Sequence, residues 1–139
     1  KYKELVKKYN LENNIIFYGS LKGPDLDKVF NKSDIGIGSL ASHRKNIYLT
    51  SELKSREYLA RGLPIVMSTK VDCIPEGFEY CLYVPEDESA INIENIIEFY
   101  NKIYKTNNHN DVVTKIRNFA EQNIDISYTM KPVIDFILR

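Results

Sequence analysis

Lys54 and Glu57, with Thr50 and Arg61 completing spacings of four, three and four, form the constellation in this chain with the clearest chemical potential. On a helix such spacings fall along one stripe. A lysine near a helix start adds a full positive charge where free backbone N–H groups and the dipole already favour an anion such as a diphosphate. A carboxylate one turn further in can accept hydrogen bonds from paired hydroxyls, as carboxylates do from ribose in nucleotide folds. The same pair also reads as an ordinary solvated Lys–Glu contact, contributing a few tenths of a kcal/mol.

These residues need a helix from Ser51 to Arg61, with Thr50 or Ser51 as its cap, Glu52 in its first turn and Gly62 as a left-handed stop. At ~100° per residue Leu53, Leu59, Ala60 and Leu63 share the buried arc. Arg56 interrupts that arc, so it either reaches a carboxylate or the helix is slightly rotated. Upstream, Lys1–Tyr9 reads as a helix tail, and Ile15-Ile16-Phe17 as a buried strand ending at Gly19-Ser20. Pro24, Asp25 and Asp27 open a helix with Leu26, Val29 and Phe30 on its apolar face. Asp34–Gly38 is the next strand, and Ser39–Thr50 an aperiodic loop. Downstream, Pro64 opens the strand Ile65–Met67, Tyr80–Val84 is a weaker strand, and helices follow around 91–104, 112–121 and 128–138.

This alternation implies an α/β fold, a Rossmann-like doubly wound parallel sheet with helices on both faces. In such sheets ligands bind outside the carboxyl ends of the strands, which here carry Gly19-Ser20, Ser39 and Ser68-Thr69. Arg44, in the basic run His43-Arg44-Lys45, falls on the same rim, either as a donor contact or as part of a solvated basic loop.

Composition narrows the partners. The 139 residues carry 19 basic and 19 acidic side chains, and a formal net charge of zero argues against a nucleic-acid domain. A chain of this length can bury a core without disulfides. Cys73 and Cys81 form no C-x-x-C pair and no leader is evident, which fits a reducing cytoplasm. No run approaches the ~20 apolar residues needed to cross a bilayer. Asn31-Lys32-Ser33 reads as a helix-end turn rather than a glycosylation acceptor, and His109 as part of a polar turn. Neither His43 nor His109 has a second ligand at usable spacing, so no metal site is expected, nor is a Ser-His-Asp or Cys-His nucleophile. Gly36-x-Gly38-x-x-Ala41 matches a dinucleotide fingerprint formally, but no helical period follows it. These glycines instead suit a strand thinned where a neighbouring helix packs closely.

The segment Lys54-x-x-Glu57-Tyr58-x-Ala60-x-Gly62-x-Pro64 resembles the donor-binding helix of GT-B-fold glycosyltransferases of the group 1, family 4-like kind. Leu11–Gly19, Ser33-Asp34-Ile35-Gly36-Ile37, Pro75-Glu76 and Tyr83–Asp87 extend the resemblance in order over roughly residues 5–139. It implies one half of a GT-B fold: a single donor-binding domain over 1–139, truncated at its N-terminus, with a first strand, a basic loop and an N-terminal acceptor domain all preceding Lys1 in the whole protein. It further implies that Glu57 binds the ribose of a nucleotide-diphosphate sugar, and that Lys54, Ser51 and Thr50 contact its diphosphate or sugar. Gly19 would let backbone approach the base. The sugar nucleotide is a substrate, and no cofactor is implied. A second family glutamate, eight residues before the ribose-binding one, is Leu49 here, so its sugar contact is absent or replaced. The expected activity is transfer to a glycan or lipid-linked acceptor in surface polysaccharide synthesis, in the cytoplasm, with any peripheral membrane association made through the acceptor domain. A nucleotide-sugar epimerase of the same fold, or a non-catalytic doubly wound regulatory domain, are the alternatives; a phospho-receiver would need clustered strand-end carboxylates.

Overall fold

A computed structural model describes residues 1–139, which divide into two compact units, 1–32 and 33–139. In the first, helix α1 (Tyr2–Lys8) ends before Asn10, which turns the chain with a φ of 54°. Helix α2 (Gly23–Phe30) carries Pro24 in its first turn, where a missing N–H costs nothing. The strand expected at Ile15–Phe17 does not form: residues 11–20 are exposed and extend no ladder. A strand exists only through the partner that takes its N–H and C=O groups, so apolar residues alone do not make one. Leu5, Val6, Tyr9, Leu11, Ile15 and Phe17 line an apolar hollow of about 310 Å³ within this unit instead.

The second unit is α/β. Strands β1 (Gly36–Ile37), β3 (Ile65–Met67) and β5 (Cys81–Tyr83) form a parallel sheet in the order β1-β3-β5. Its register sets Gly36 beside Ile65 and Val66 beside Leu82. The chain segment Ile65-Val66-Met67 takes the centre because all three side chains are fully buried, as a strand covered on both faces requires. Two further short strands, β2 (Leu49–Thr50) and β4 (Lys70–Val71), pair in parallel as a separate ribbon. A 3₁₀ turn at Ser42–Lys45 occupies the stretch expected to be plain loop.

Helix α3 (Leu53–Ala60) connects β1 and β3, and α4 (Ile93–Tyr104), α5 (His109–Asn123), α6 (Ile126–Thr129) and α7 (Lys131–Ile137) follow β5. The core joins Leu59 of α3 to the β3 side chains and to Phe99, Ile103, Val112 and Ile116 of α4 and α5. Asn108 caps α5 through the Asp111 N–H. His109 therefore stands in the first turn of a helix rather than in a connecting turn, its ring stacked on Tyr104 at 5.9 Å. None of these helices is long and apolar enough to cross a membrane.

Glycines set two of the close approaches. A Cβ on Gly36 would lie 2.6 Å from the Tyr58 ring of α3, so the strand is thin where a helix packs, as expected; Gly38 falls just past the end of β1, and its Cβ would lie 2.9 Å from Met67 Cε of the adjacent strand rather than from a helix. Gly62, at φ +80°, closes α3: its N–H reaches the Leu59 carbonyl at 2.9 Å, and the Leu63 N–H reaches Tyr58 at 2.9 Å. This pair of bonds is the Schellman pattern that the left-handed residue permits.

Candidate functional site

The carboxyl ends of β1, β3 and β5 share one edge of the sheet. Ser68 there donates to the Ser39 carbonyl from both its N–H (3.1 Å) and its hydroxyl (3.2 Å), while the Val84 N–H reaches the Met67 carbonyl at 2.9 Å. Helix α3 starts two residues later than its sequence suggests, at Leu53, because Glu52 holds extended dihedrals (φ −75°, ψ 136°) and becomes the N-cap residue.

Glu52 is the residue that sequence reasoning undervalued. Its carboxylate accepts the Ser39 hydroxyl at 2.5 Å and the fully buried Ser55 hydroxyl at 2.6 Å. Burial pushes its pKa up, but the Ser39 and Ser55 hydroxyls, Lys54 and the Ser39 backbone together outweigh this and hold it below the ordinary carboxylate value. Glu52 thus ties the end of β1 to the start of α3. It also means that the helix start expected to be open for a diphosphate already carries a neighbouring carboxylate, and Ser39, expected to touch donor, spends its hydroxyl on that carboxylate. An acidic residue and a serine three apart was the available signal, but the sequence left the partner Ser39, thirteen residues away, unspecified.

Lys54 is exposed, with the Glu52 carboxylate its electrostatic neighbour. Glu57 is half-exposed and accepts Arg61 Nε at 3.2 Å on one oxygen. It lines an open cavity of about 700 Å³ with Leu53 and Ala60 of α3, Arg117 and Glu121 of α5, and Ile126 of α6. Leu53 was expected in the buried arc, yet it is 80% exposed on that cavity wall, and Ala60 is exposed too. The inward residues are Ser55 and Leu59, four apart, so α3 is rotated relative to the expected arc. The cavity residues do not include Ser39: Glu57 faces α5 and α6, while Ser39 belongs to the strand ends.

Thr50 lies in β2, its carbonyl accepting the Asp72 N–H at 3.0 Å. Ser51 Oγ accepts Arg56 Nη2 at 3.2 Å, and the same nitrogen donates to both Asp72 oxygens at 2.9 and 3.0 Å. Arg56 does reach a carboxylate. Arg44 makes a two-pronged pair with Glu88 at 2.7 and 2.5 Å, and His43 Nε2 lies 3.0 Å from the same carboxylate. Those bonds, Arg44 foremost, draw the Glu88 pKa down to about 2, so Arg44's charge is already matched. Gly19 lies in the first unit with φ +72° and open space around its missing side chain.

No protein-family model matches the chain, and no curated protein or solved structure matches it either.

Proposed function

We propose that this chain is the donor-binding half of a GT-B-type glycosyltransferase, a doubly wound domain that holds a nucleotide-diphosphate sugar for transfer, in the cytoplasm, to a glycan or lipid-linked acceptor carried by a separate domain. The observation that supports it is Glu57 on the wall of the 700 Å³ cavity, one turn beyond the exposed Lys54, on the helix that leaves the parallel sheet's carboxyl edge. That volume falls in the range of small-molecule sites, and the cavity joins apolar walls from Leu53, Ala60 and Ile126 to the half-exposed Glu57 carboxylate. Apolar walls suit a base, and a carboxylate suits ribose hydroxyls.

Glu52 and Glu57 are five residues apart, which on a helix is about 7–8 Å of axial rise. An extended ligand with ribose at Glu57 and diphosphate beside Lys54 directs its sugar toward the strand ends. Lys54 then stabilises the negative charge that grows on the departing diphosphate, an electrostatic contribution made where charge develops. Thr50 and Ser51 border this path.

Calorimetric titration with UDP, GDP and their sugars tests the assignment. Glu57→Gln is expected to weaken nucleotide binding on the order of ten- to a hundredfold, the loss of hydrogen bonds to a charged acceptor. Unchanged affinity in that variant overturns the ribose role.

A further inference from the structure

Each strand of the parallel sheet leads, past its carboxyl end, to one buried polar atom with no hydrogen-bond partner: His43 Nδ1 after β1, Thr69 Oγ1 after β3 and Glu86 Oε1 after β5. The topology draws the three segments together. β1 and β5 flank β3 at about 4.8 Å each, the ordinary strand spacing. The Ser68–Ser39 and Val84–Met67 bonds keep the strand ends level. Glu88, two residues beyond Glu86, takes both His43 and Arg44, so the chain leaving β5 joins the chain leaving β1 across the end of β3. Thr69, just past the end of β3, is 1% exposed.

Buried polar groups without partners are uncommon because each forfeits its bonds to water, and one at every strand end of a ligand-binding edge points to an occupant. The donor and acceptor chemistry limits its class. The imidazole tautomer that donates from Nε2 to Glu88 carries its lone pair at Nδ1. Glu86 offers a carboxylate oxygen, and Thr69 a hydroxyl that donates or accepts. Two acceptors and one hydroxyl suit a ligand rich in O–H donors. They repel a phosphate, since the nearby Arg44 is already paired with Glu88.

We infer that this edge is the subsite for the hydroxyls of a hexose ring, with Thr69, Glu86 and His43 as its contacts and the His43–Arg44–Glu88 clasp as the cover that parts to admit it. The inference rests on the donor reading, in which the ring is the transferred sugar. It supplies the contact that the resemblance leaves open at Leu49, an apolar residue 66% exposed on β2 that offers no acceptor. Arg44 and Glu88 are 64% and 65% exposed, so water can take over their bonds as the clasp opens.

The test is a nitrogen-15 NMR titration of the full chain with glucose, galactose, mannose and N-acetylglucosamine as free sugars, beside UDP, GDP and inorganic phosphate. At least one sugar is expected to shift the Thr69 and Glu86 amides and the His43 ring nitrogens, and Glu86→Gln is expected to weaken that response about tenfold. The signal dispersion of the variant reports that it is folded. Silence of all three residues toward every sugar overturns the inference, as does a phosphate response at Thr69 and His43. Nucleotide shifts around Glu57 with no sugar response leave the donor reading standing without this subsite; the reverse pattern leaves the subsite standing without that reading.

Discussion

Substituting Gly36 by alanine adds a single carbon where the Tyr58 ring of α3 lies against β1. The new Cβ would sit 2.6–2.8 Å from three atoms of the Tyr58 ring, well inside ordinary contact. The ring cannot swing away without giving up the bond from its hydroxyl to the Ile37 carbonyl, 3.3 Å long. Overpacking of this kind costs about 1–3 kcal/mol, and a long neutral hydrogen bond adds up to about 1 kcal/mol. Alanine recovers about 0.5–1 kcal/mol of the entropy glycine loses in a strand. Taken at their midpoints these terms leave a loss of about 2 kcal/mol, read from urea unfolding followed by far-ultraviolet circular dichroism. In a Tyr58→Ala background the ring is gone, and Gly36→Ala should become neutral or slightly favourable. Equal cost in both backgrounds, or no cost in the parent, refutes the steric account and with it the claim that α3 bears directly on β1.

Ser55→Ala removes a fully buried donor to Glu52 and should destabilise by about 1.5–3 kcal/mol, the worth of a hydrogen bond to a charged group. Because Glu52 titrates below its ordinary value of 4.5 in the folded chain, its contribution is present above that pH and is lost as pH falls through the depressed value. The gap between parent and Ser55→Ala should therefore narrow in acid, and a gap that widens there would contradict the assignment. Gly62→Ala places a Cβ at φ +80° and 2.7–2.8 Å from Val113 side-chain and backbone atoms, for an expected loss of about 2–4 kcal/mol. Gly77→Ala, at φ +76° with nothing nearby, should cost only the conformational part, about 1–2 kcal/mol, so thermal unfolding of the two separates backbone strain from collision.

Legibility in the sequence followed how local each cause was. Ile65–Met67, Gly62 and Pro24 were readable because a continuous apolar run, a left-handed stop and a first-turn proline each act within a few residues. The strand expected at Ile15–Phe17 had the right side chains, but a ladder is a property of two segments. The β2–β4 ribbon was invisible for the same reason: Leu49–Thr50 and Lys70–Val71 are too short to alternate. Within the site, the stripe of Lys54 and Glu57 was legible from spacing, but the rotation that exposes Leu53 depended on Glu52, Ser39 and Ser55 meeting across thirteen residues of sequence. The strand-end atoms of His43, Thr69 and Glu86 come from three separate stretches, and no local pattern announces them.

Gly36 of β1 also acts as an index. β3 is apolar on both faces, and its own side chains would tolerate β1 sliding along it by one residue. Such a step would bring Ile35 or Ile37 under the Tyr58 ring, where even a methyl group does not fit. The detent therefore sets how far Ser39 projects past the sheet, and hence the height at which the chain begins its turn toward His43. Motion at this rim is left to the connecting segments, over a platform whose strands stay in step.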